Sequence, residues 1–276
     1  MDLGRTGAGR VIPALFAGLC DDAAVFPPGL APLPDAIAAH DAYERAWYTD
    51  LVGPLVLAAP ALDALGDLLG PRETPLPVSV TLPGGPVRLP AVLDAVKTLP
   101  VDLQALEIAV PDGWAPAEML DAISAATAPV YVEIPRDDRR GALLRALAGT
   151  GHRAKFRTGG VRADLYPGEA ELAASIRAAV EAGVPFKATA GLHHALRNTN
   201  PETGFEQHGF LNLLLAAADP DRGEALLAER DGAVVAAAVR ELSPDVRARF
   251  TSFGTCSITD PLTELAALGL LPRGEA

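Results

Sequence analysis

The segments that decide the fold read His-Arg-Ala-Lys-Phe-Arg-Thr-Gly-Gly (152–160) and Pro-Phe-Lys-Ala-Thr-Ala-Gly-Leu-His-His (185–194). Each has the composition of a short strand followed by glycine, and a helical pattern from Glu169 to Ala182 separates them. Two strands joined by one helix form a right-handed βαβ unit, in which the strands lie parallel and near each other. This part of the chain therefore predicts neighbouring strands of a parallel sheet.

A lysine lies in the middle of each of these two strands. Side chains alternate between the two faces of a strand, so Lys155 shares a face with Arg157, and Lys187 with Thr189. The two lysines are therefore expected to project in the same direction from neighbouring strands. Because an unpaired buried charge is costly, we expect anionic side chains or an anionic ligand to face them.

The alternation of strand and helix continues along the whole chain. Eight strands are predicted, at 23–26, 53–58, 77–82, 103–110, 130–134, 152–160, 185–194 and 249–255. Eight strands alternating with helices over about 250 residues are typical of a (β/α)8 barrel. No G-x-G-x-x-G motif follows the first strand, which argues against an open dinucleotide-binding sheet. We predict one α/β domain over 1–276, a (β/α)8 TIM barrel with a long loop at about 192–209.

Composition and charge narrow the functional classes. The chain has 276 residues, 49% hydrophobic and 21% charged, as expected of a globular protein. The net charge of −12 argues against general binding to nucleic acid or to anionic membranes. Cys20 and Cys256 are consistent with reduced thiols, and the apolar run 11–20 is too short to span a bilayer and predicts a first helix. We expect a cytoplasmic protein, and a homo-oligomer is compatible with the fold.

Charged side chains are expected to converge inside the barrel. Active sites of (β/α)8 barrels lie at the carboxyl ends of the strands. If the inward face of each strand is the one without bulky apolar residues, the residues that share one cavity are Glu107, Glu133, Lys155, Arg157 and Lys187. By contrast, Asp21 and Asp22 precede the first predicted strand and are expected to form a helix cap or a solvated turn.

This set of residues predicts chemistry at an amine. A partly dehydrated lysine beside another cation loses its proton more easily, and a neutral amine forms Schiff bases with carbonyl compounds. An adjacent glutamate can then carry protons, which assigns that role to Glu133 or Glu107. The alternative is an internal network of ion pairs, which shifts pKa values without catalysing a reaction.

Three motifs in the second half of the chain resemble those of class I aldolases of the deoxyribose-phosphate aldolase type. They are Lys155-Phe156-Arg157-Thr158-Gly159, Lys187-Ala188-Thr189-Ala190-Gly191 and Gly254-Thr255-Cys256-Ser257. The resemblance implies that Lys155 forms the Schiff base and that Lys187 lowers its pKa. It also implies that a phosphate or another anion is held by Gly191, Gly254, Thr255 and Ser257.

The loop at about 192–209 is rich in residues that bind anions or metals: His193, His194, Arg197, Glu206 and His208. Loops of this length are usually functional. The favoured interpretation is a lid that brings histidine and arginine over an anionic substrate. A cap whose imidazoles bind backbone groups and a metal site that uses Glu206 are the alternatives.

We therefore predict a lyase of aldolase type that acts on a small carbonyl compound carrying phosphate or carboxylate, without a cofactor. In this hypothesis Arg157 and Thr189 contact the substrate, together with the loop residues. One alternative is a lyase or isomerase in which a divalent metal stabilises an enolate. Another is a barrel without catalytic activity that binds an anionic metabolite.

Overall fold

Eight parallel strands close into a barrel in the computed structural model, which describes residues 11–70 and 72–272. The barrel strands are β1 (Cys20–Asp22), β2 (Val52–Ala58), β3 (Leu76–Leu82), β4 (Val101–Ala109), β5 (Val130–Glu133), β6 (Arg153–Arg157), β7 (Phe186–Thr189) and β10 (Phe250–Thr255). β10 lies between β7 and β1 and completes the ring. The predicted (β/α)8 TIM barrel is confirmed, although residues 1–10, 71 and 273–276 of the predicted domain lie outside the described chain.

Helices alternate with the strands along the chain. They are α1 (Leu33–Tyr43), α2 (Leu62–Leu69), α3 (Leu89–Val96), α4 (Pro116–Ile123), α5 (Arg140–Leu147), α6 (Glu169–Glu181), α7 (Phe210–Ala218), α8 (Gly223–Ala228), α9 (Gly232–Arg240) and α10 (Thr259–Ala267). α7, α8 and α9 together occupy the segment between β7 and β10. Among the described helices none is both long and apolar enough to cross a membrane.

Alternation along the strands separates an apolar outer layer from a polar interior. Leu106 and Ile108 of β4 are fully buried in the hydrophobic core, whereas the side chain of Glu107 between them points into the barrel. On the three adjacent strands β6, β7 and β10, the ring of Phe186 lies 5.2 Å from that of Phe156 and 5.3 Å from that of Phe250. Because a one-residue slip would exchange the two faces, this pattern determines which side chains enter the barrel.

The first strand lies earlier than predicted. β1 is Cys20–Asp22, and the predicted strand 23–26 is a turn. The run 11–20 contains one turn of 3₁₀-helix, Ala14–Phe16, and not the predicted first helix. Asp21 and Asp22 are therefore not in a solvated turn but inside the barrel wall, where they are 3% and 1% exposed.

A two-stranded antiparallel hairpin interrupts the segment after β7. It consists of β8 (Asn198–Thr199) and β9 (Glu206–Gln207). Asn200, Phe205 and Gln207 of this hairpin line the cavity at the carboxyl ends of the barrel strands. The long loop predicted at about 192–209 therefore contains a small ordered element that lies over the barrel.

Candidate active site

A cavity of about 590 Å³ lies at the carboxyl ends of the barrel strands. Side chains of four adjacent strands reach into it, namely Glu107 of β4, Glu133 of β5, Lys155 of β6 and Lys187 of β7. These are four of the five residues that the alternation pattern placed in one cavity, and the fifth, Arg157, also lines it. Because the active sites of (β/α)8 barrels lie at this end, the cavity is the candidate active site.

Lys187 is the more deeply buried of the two lysines, with 1% of its side chain exposed. Its Nζ lies 2.5 Å from Asp21 Oδ2 and 2.6 Å from Glu107 Oε1. The same nitrogen lies 5.2 Å from the centre of the Tyr131 ring, within the range of a cation–π contact. Ser252 Oγ donates to Asp21 Oδ2 at 2.8 Å, so the carboxylate that faces Lys187 is also fixed from β10.

Lys155 lies beside Lys187 in the register of β6 and β7 and is closer to the cavity, with 9% of its side chain exposed. Its Nζ lies 2.9 Å from Glu133 Oε2 and 3.1 Å from Glu107 Oε2. Glu107 thus binds one lysine with each oxygen, and we call Asp21, Glu107, Glu133, Lys155 and Lys187 the lysine cluster. The predicted close approach of the two lysines is present, and a shared carboxylate mediates it.

The lysine cluster favours the charged form of both amines. Burial alone would lower the pKa of Lys155, but the attraction of Glu107 and Glu133 is stronger in sum and raises it. Burial likewise opposes the charge on Lys187, yet Asp21 and Glu107 raise its pKa well above the ordinary value. The expected net lowering of the pKa of Lys155 is therefore wrong, because three carboxylates surround the two ammonium groups.

The carboxylates of the cluster differ from one another. Burial would raise the pKa of Glu107, but Lys187 and Lys155 together lower it to about 2. For Asp21, burial is the dominant effect and raises the pKa, and the attraction of Lys187 offsets it only in part. Glu133 is the most accessible of the three, with 25% of its side chain exposed and its carboxylate on the cavity surface.

Asp21 is the member of the cluster that sequence reasoning missed. The sequence shows only that Asp21 and Asp22 directly follow the apolar run 11–20, and nothing in the local pattern identifies their partners. The second aspartate has a separate partner, since Asp22 Oδ2 lies 3.0 Å from Nδ1 of the buried His40 on α1. The pair thus joins β1 both to the lysine cluster and to the first helix.

The predicted anion-binding residues fall into two groups. Arg157, Thr189, Gly191 and Gly254 line the cavity, and Arg157 Nε donates to Gly159 O at its rim. Thr255 and Ser257 do not line it: Thr255 Oγ1 donates to Ser257 O, and Ser257 Oγ accepts from Asp260 N near the start of α10. The hydroxyl groups predicted to hold an anion are instead bonded within their own turn.

The glycine of the β7 motif is explained by packing. Gly191 has a φ of 72°, and a Cβ there would lie 2.8 Å from Tyr166 Cε1 and 3.2 Å from Gly159 Cα. A Cβ at Gly159 would meet the same tyrosine ring at 2.7 Å. The loops after β6 and β7 can therefore approach each other and Tyr166 only because both residues are glycine.

The predicted histidine-rich lid is divided between three locations. His193 lines the cavity, where its Nδ1 lies 3.4 Å from Cys256 Sγ, and burial lowers its pKa. His194 points away and its Nδ1 lies 2.6 Å from Glu264 Oε1 on α10. Arg197 and His208 are buried outside the cavity lining, so contrary to expectation neither closes over the site.

Arg197 and His208 instead belong to a second group of charges at the base of the hairpin. We call Glu169, Arg197, Glu206, His208 and Arg230 the hairpin cluster. Arg197 Nη2 lies 2.6 Å from Glu169 Oε1 and 3.3 Å from Glu206 Oε2, and Arg230 also pairs with Glu206. The His208 ring lies between Arg197 Nη1 at 3.2 Å and Pro167 O at 2.8 Å. Of the three loop histidines, His208 contacts a backbone group, as the cap alternative expects, whereas His193 and His194 contact side chains.

In residues 11–70 and 72–272, no group of three or more histidine, cysteine, aspartate and glutamate side chains is arranged to hold a metal ion.

No family model matches the sequence, and no curated protein matches it. Among solved structures, the chain is similar to a protein from Coccidioides immitis that is provisionally assigned as a fructose-1,6-biphosphate aldolase. The identity is 11% and the TM-score 0.35, over 90% of this chain and 81% of the other.

Proposed function

We propose that this protein is a lyase of aldolase type, in which Lys155 forms a Schiff base with a small carbonyl compound carrying carboxylate or phosphate. The observation that carries the proposal is the position of Lys155 between Glu133 and Glu107 on the cavity surface, with a second lysine behind it. Five charged groups inside a barrel are expensive to maintain as scaffolding alone. A reaction that forms a positively charged iminium ion at Lys155 Nζ would give these charged groups a catalytic role.

Lys155 is better suited than Lys187 to be the nucleophile. Lys187 lies at the bottom of the cavity between two carboxylates and has 1% of its side chain exposed, against 9% for Lys155. Lys187 would act as a positioning residue that holds Glu107 in place. The proton of Lys155 has an accessible acceptor in Glu133, whose Oε2 is 2.9 Å away.

The reaction begins when Lys155 transfers a proton to Glu133 and its free amine attacks the substrate carbonyl carbon. The carbinolamine accepts a proton on oxygen and loses water, which leaves an iminium ion at Nζ. In a β-hydroxy substrate, loss of the hydroxyl proton then breaks the C–C bond and releases an aldehyde or ketone. The electron pair of that bond moves into an enamine, which is protonated and hydrolysed to free the second product.

The raised pKa of Lys155 fits this sequence of steps in one respect and constrains it in another. Carboxylates that stabilise an ammonium ion also stabilise the iminium ion that replaces it, since both carry a positive charge at Nζ. The same carboxylates lower the fraction of neutral amine, so nucleophilic attack is expected to become faster as the pH rises. The substrate's anionic group would lie at the rim, near Arg157 and the backbone of Gly191.

The chain allows a clean test because it contains three lysines, Lys97, Lys155 and Lys187. Protein treated with borohydride in the presence of aldehydes and 2-oxo acids is analysed by intact mass and by peptide mapping. We expect one reduced adduct, on Lys155. This adduct should be absent in Lys155→Met. It should be retained in the control variant Lys97→Arg, which removes the exposed lysine that directly follows α3.

Other outcomes would contradict the proposal. An adduct confined to Lys97 or to the amino terminus would show that the buried amine does not react. Activity that is lost with a chelator and restored by a divalent metal would indicate enolate chemistry instead. A ligand that binds equally well to Lys155→Ala and is recovered unchanged would indicate a binding protein without catalytic activity.

A further inference from the structure

The two halves of the cavity wall differ in chemical character. The half formed by β4–β7 carries Glu107, Glu133, Lys155, Arg157 and Lys187. The other half is formed by β1–β3 and their loops. Its lining side chains in the described part of the chain are uncharged and include Phe26, Pro27, Val56, Ala58, Thr81 and Pro83. A substrate bound to Lys155 therefore has charged groups on one side and a mainly apolar surface on the other.

Small inward-facing residues create the space beside Lys155. Ala58 is paired with Thr81 in the register of β2 and β3, and Ala109 is paired with Glu133 in that of β4 and β5. Short side chains at these positions leave the upper level of the barrel unfilled above the lysine cluster. The resulting volume of about 590 Å³ falls in the roughly 300–1,000 Å³ range of pockets for small ligands.

The outer end of the cavity combines aromatic with polar side chains, the polar ones being Asn200, Glu202, Thr203 and Gln207 of the hairpin. Phe205 of the hairpin lies 5.5 Å, between ring centres, from Tyr166, which precedes α6, and both side chains line the cavity. Tyr166 of this pair packs against Gly159 and Gly191 in the loops after β6 and β7, so the apolar character of the wall at β1–β3 does not depend on the pair.

We infer that the substrate of the proposed reaction carries a hydrocarbon group, and that this group lies against Phe26, Val56, Ala58 and Pro83. The inference rests on the proposed function and gives its substrate a chemical class, namely an oxo acid with an apolar chain. The carboxylate lies toward Arg157, the carbonyl carbon at Lys155 Nζ, and the chain over β1–β3. A polyhydroxylated sugar phosphate would leave most of its hydroxyl groups without partners along this wall, where Thr81 is the one polar side chain among the described lining residues.

Binding of straight-chain primary alcohols tests the apolar wall without Schiff-base chemistry, because an alcohol has no carbonyl group. Isothermal titration calorimetry of the full chain with alcohols from ethanol to octan-1-ol should show affinity rising about fourfold for each added methylene, until the chain fills the cavity. In Ala58→Leu the rise should stop at a shorter chain. Leu68→Ala, an exposed site on α2, should leave the series unchanged.

A second variant covers the event that Ala58→Leu does not fold. Phe26 is partly exposed in the loop after β1, so Phe26→Ala removes apolar contact without filling the barrel. It should weaken octan-1-ol binding several-fold and leave ethanol binding unchanged. Affinity that does not depend on chain length in the wild-type protein, or a series that neither variant alters, would overturn the inference.

Trapping with matched oxo acids separates this inference from the proposed function. Pyruvate and 2-oxooctanoate both have a carboxylate beside the carbonyl and differ in the hydrocarbon chain. We expect the borohydride adduct on Lys155 to reach half its maximum at a lower concentration of 2-oxooctanoate. Alcohol binding that depends on chain length without any adduct would refute the Schiff base and leave the apolar subsite standing. Equal trapping of both acids, with no such dependence in the alcohols, would refute the subsite alone.

Discussion

The lysine cluster and the hairpin cluster are built from similar parts but have different surroundings. Each contains at least one buried cation that pairs with two carboxylates. In the lysine cluster, Asp21 and Glu107 have side chains 5% and 2% exposed, and the cluster opens into the cavity through Lys155 and Glu133. In the hairpin cluster, the carboxylates of Glu169 and Glu206 are 32% and 45% exposed, and its arginine and histidine do not reach the cavity lining.

The difference shows that buried charge by itself does not identify a reactive site. Arg197 is as buried as Lys155, yet its partners are hydrated carboxylates that hold the hairpin against α6. The lysine cluster opens into a space large enough for a small ligand, and two of its three carboxylates, Asp21 and Glu107, are shielded from water. Neither statement holds for the hairpin cluster.

The largest expected effect comes from removing the cation between the two driest carboxylates. Lys187→Met should lower the free energy of unfolding by about 3–5 kcal/mol, because Asp21 and Glu107 would remain buried without their shared partner. Equilibrium denaturation in urea measures the loss. Arg197→Met is the matched variant in the hairpin cluster and should cost less, since water reaches both of its carboxylates. Equal losses in the two variants would show that the clusters do not differ in hydration.

Acid should destabilise the two clusters in different pH ranges. Burial lowers the pKa of His208 from 6.5 to about 4, so in that interval the unfolded chain binds a proton that the folded chain does not. Stability is therefore lost as the pH falls from 6.5 toward 4, by on the order of 3 kcal/mol. The pKa of Glu107, about 2 against 4.5, gives a second loss as the pH falls below 4.5. Urea denaturation at a series of pH values should show both steps.

The control for the first step is His208→Gln, which removes the titrating imidazole and leaves a side chain that can hydrogen-bond. The loss between pH 6.5 and 4 should disappear in this variant, while the loss below 4.5 should persist. A first step of unchanged size would assign it to a different group.

Prediction of the barrel from sequence succeeded where local pattern carries the information. A single helix separates β6 from β7, so the handedness of the βαβ unit and the alternation of faces place Lys155 beside Lys187. The apolar rows around Glu107 and Glu133 identify their inward direction for the same reason. These residues needed no knowledge of the distant parts of the chain.

Asp21 and the hairpin were beyond such reasoning. β1 has three residues, too few for a periodic signal, and the partner of Asp21 lies 166 positions away at Lys187. The carboxylate that raises the pKa of Lys187 together with Glu107 is therefore visible only once the ring of strands has closed. β8 and β9 have two residues each, and the position of Phe205 over the cavity depends on its contact with Tyr166.

A smaller effect tests whether Glu133 controls the proton on Lys155. Glu133→Gln removes one of the two carboxylates that raise the pKa of Lys155, so the neutral amine should form at lower pH. Adduct formation, trapped with cyanoborohydride, should then rise at lower pH than in the wild-type protein. Glu206→Gln in the hairpin cluster is the matched change and should leave the profile where it is. A profile that does not move in Glu133→Gln would remove Glu133 from the proton pathway.

The smallest expected difference concerns hydroxyl groups that hold one carboxylate in each cluster. Ser252 Oγ donates to Asp21 Oδ2 at 2.8 Å in the dry interior, whereas Thr199 Oγ1 donates to Glu206 at the exposed hairpin. Ser252→Ala should lower the free energy of unfolding by about 1–2 kcal/mol, because water cannot replace the lost donor. Thr199→Ala should change it by less than about 0.5 kcal/mol, since solvent satisfies Glu206. If urea denaturation gives the same loss for both, hydration does not distinguish the two clusters, and the dryness that we assign to the lysine cluster is absent.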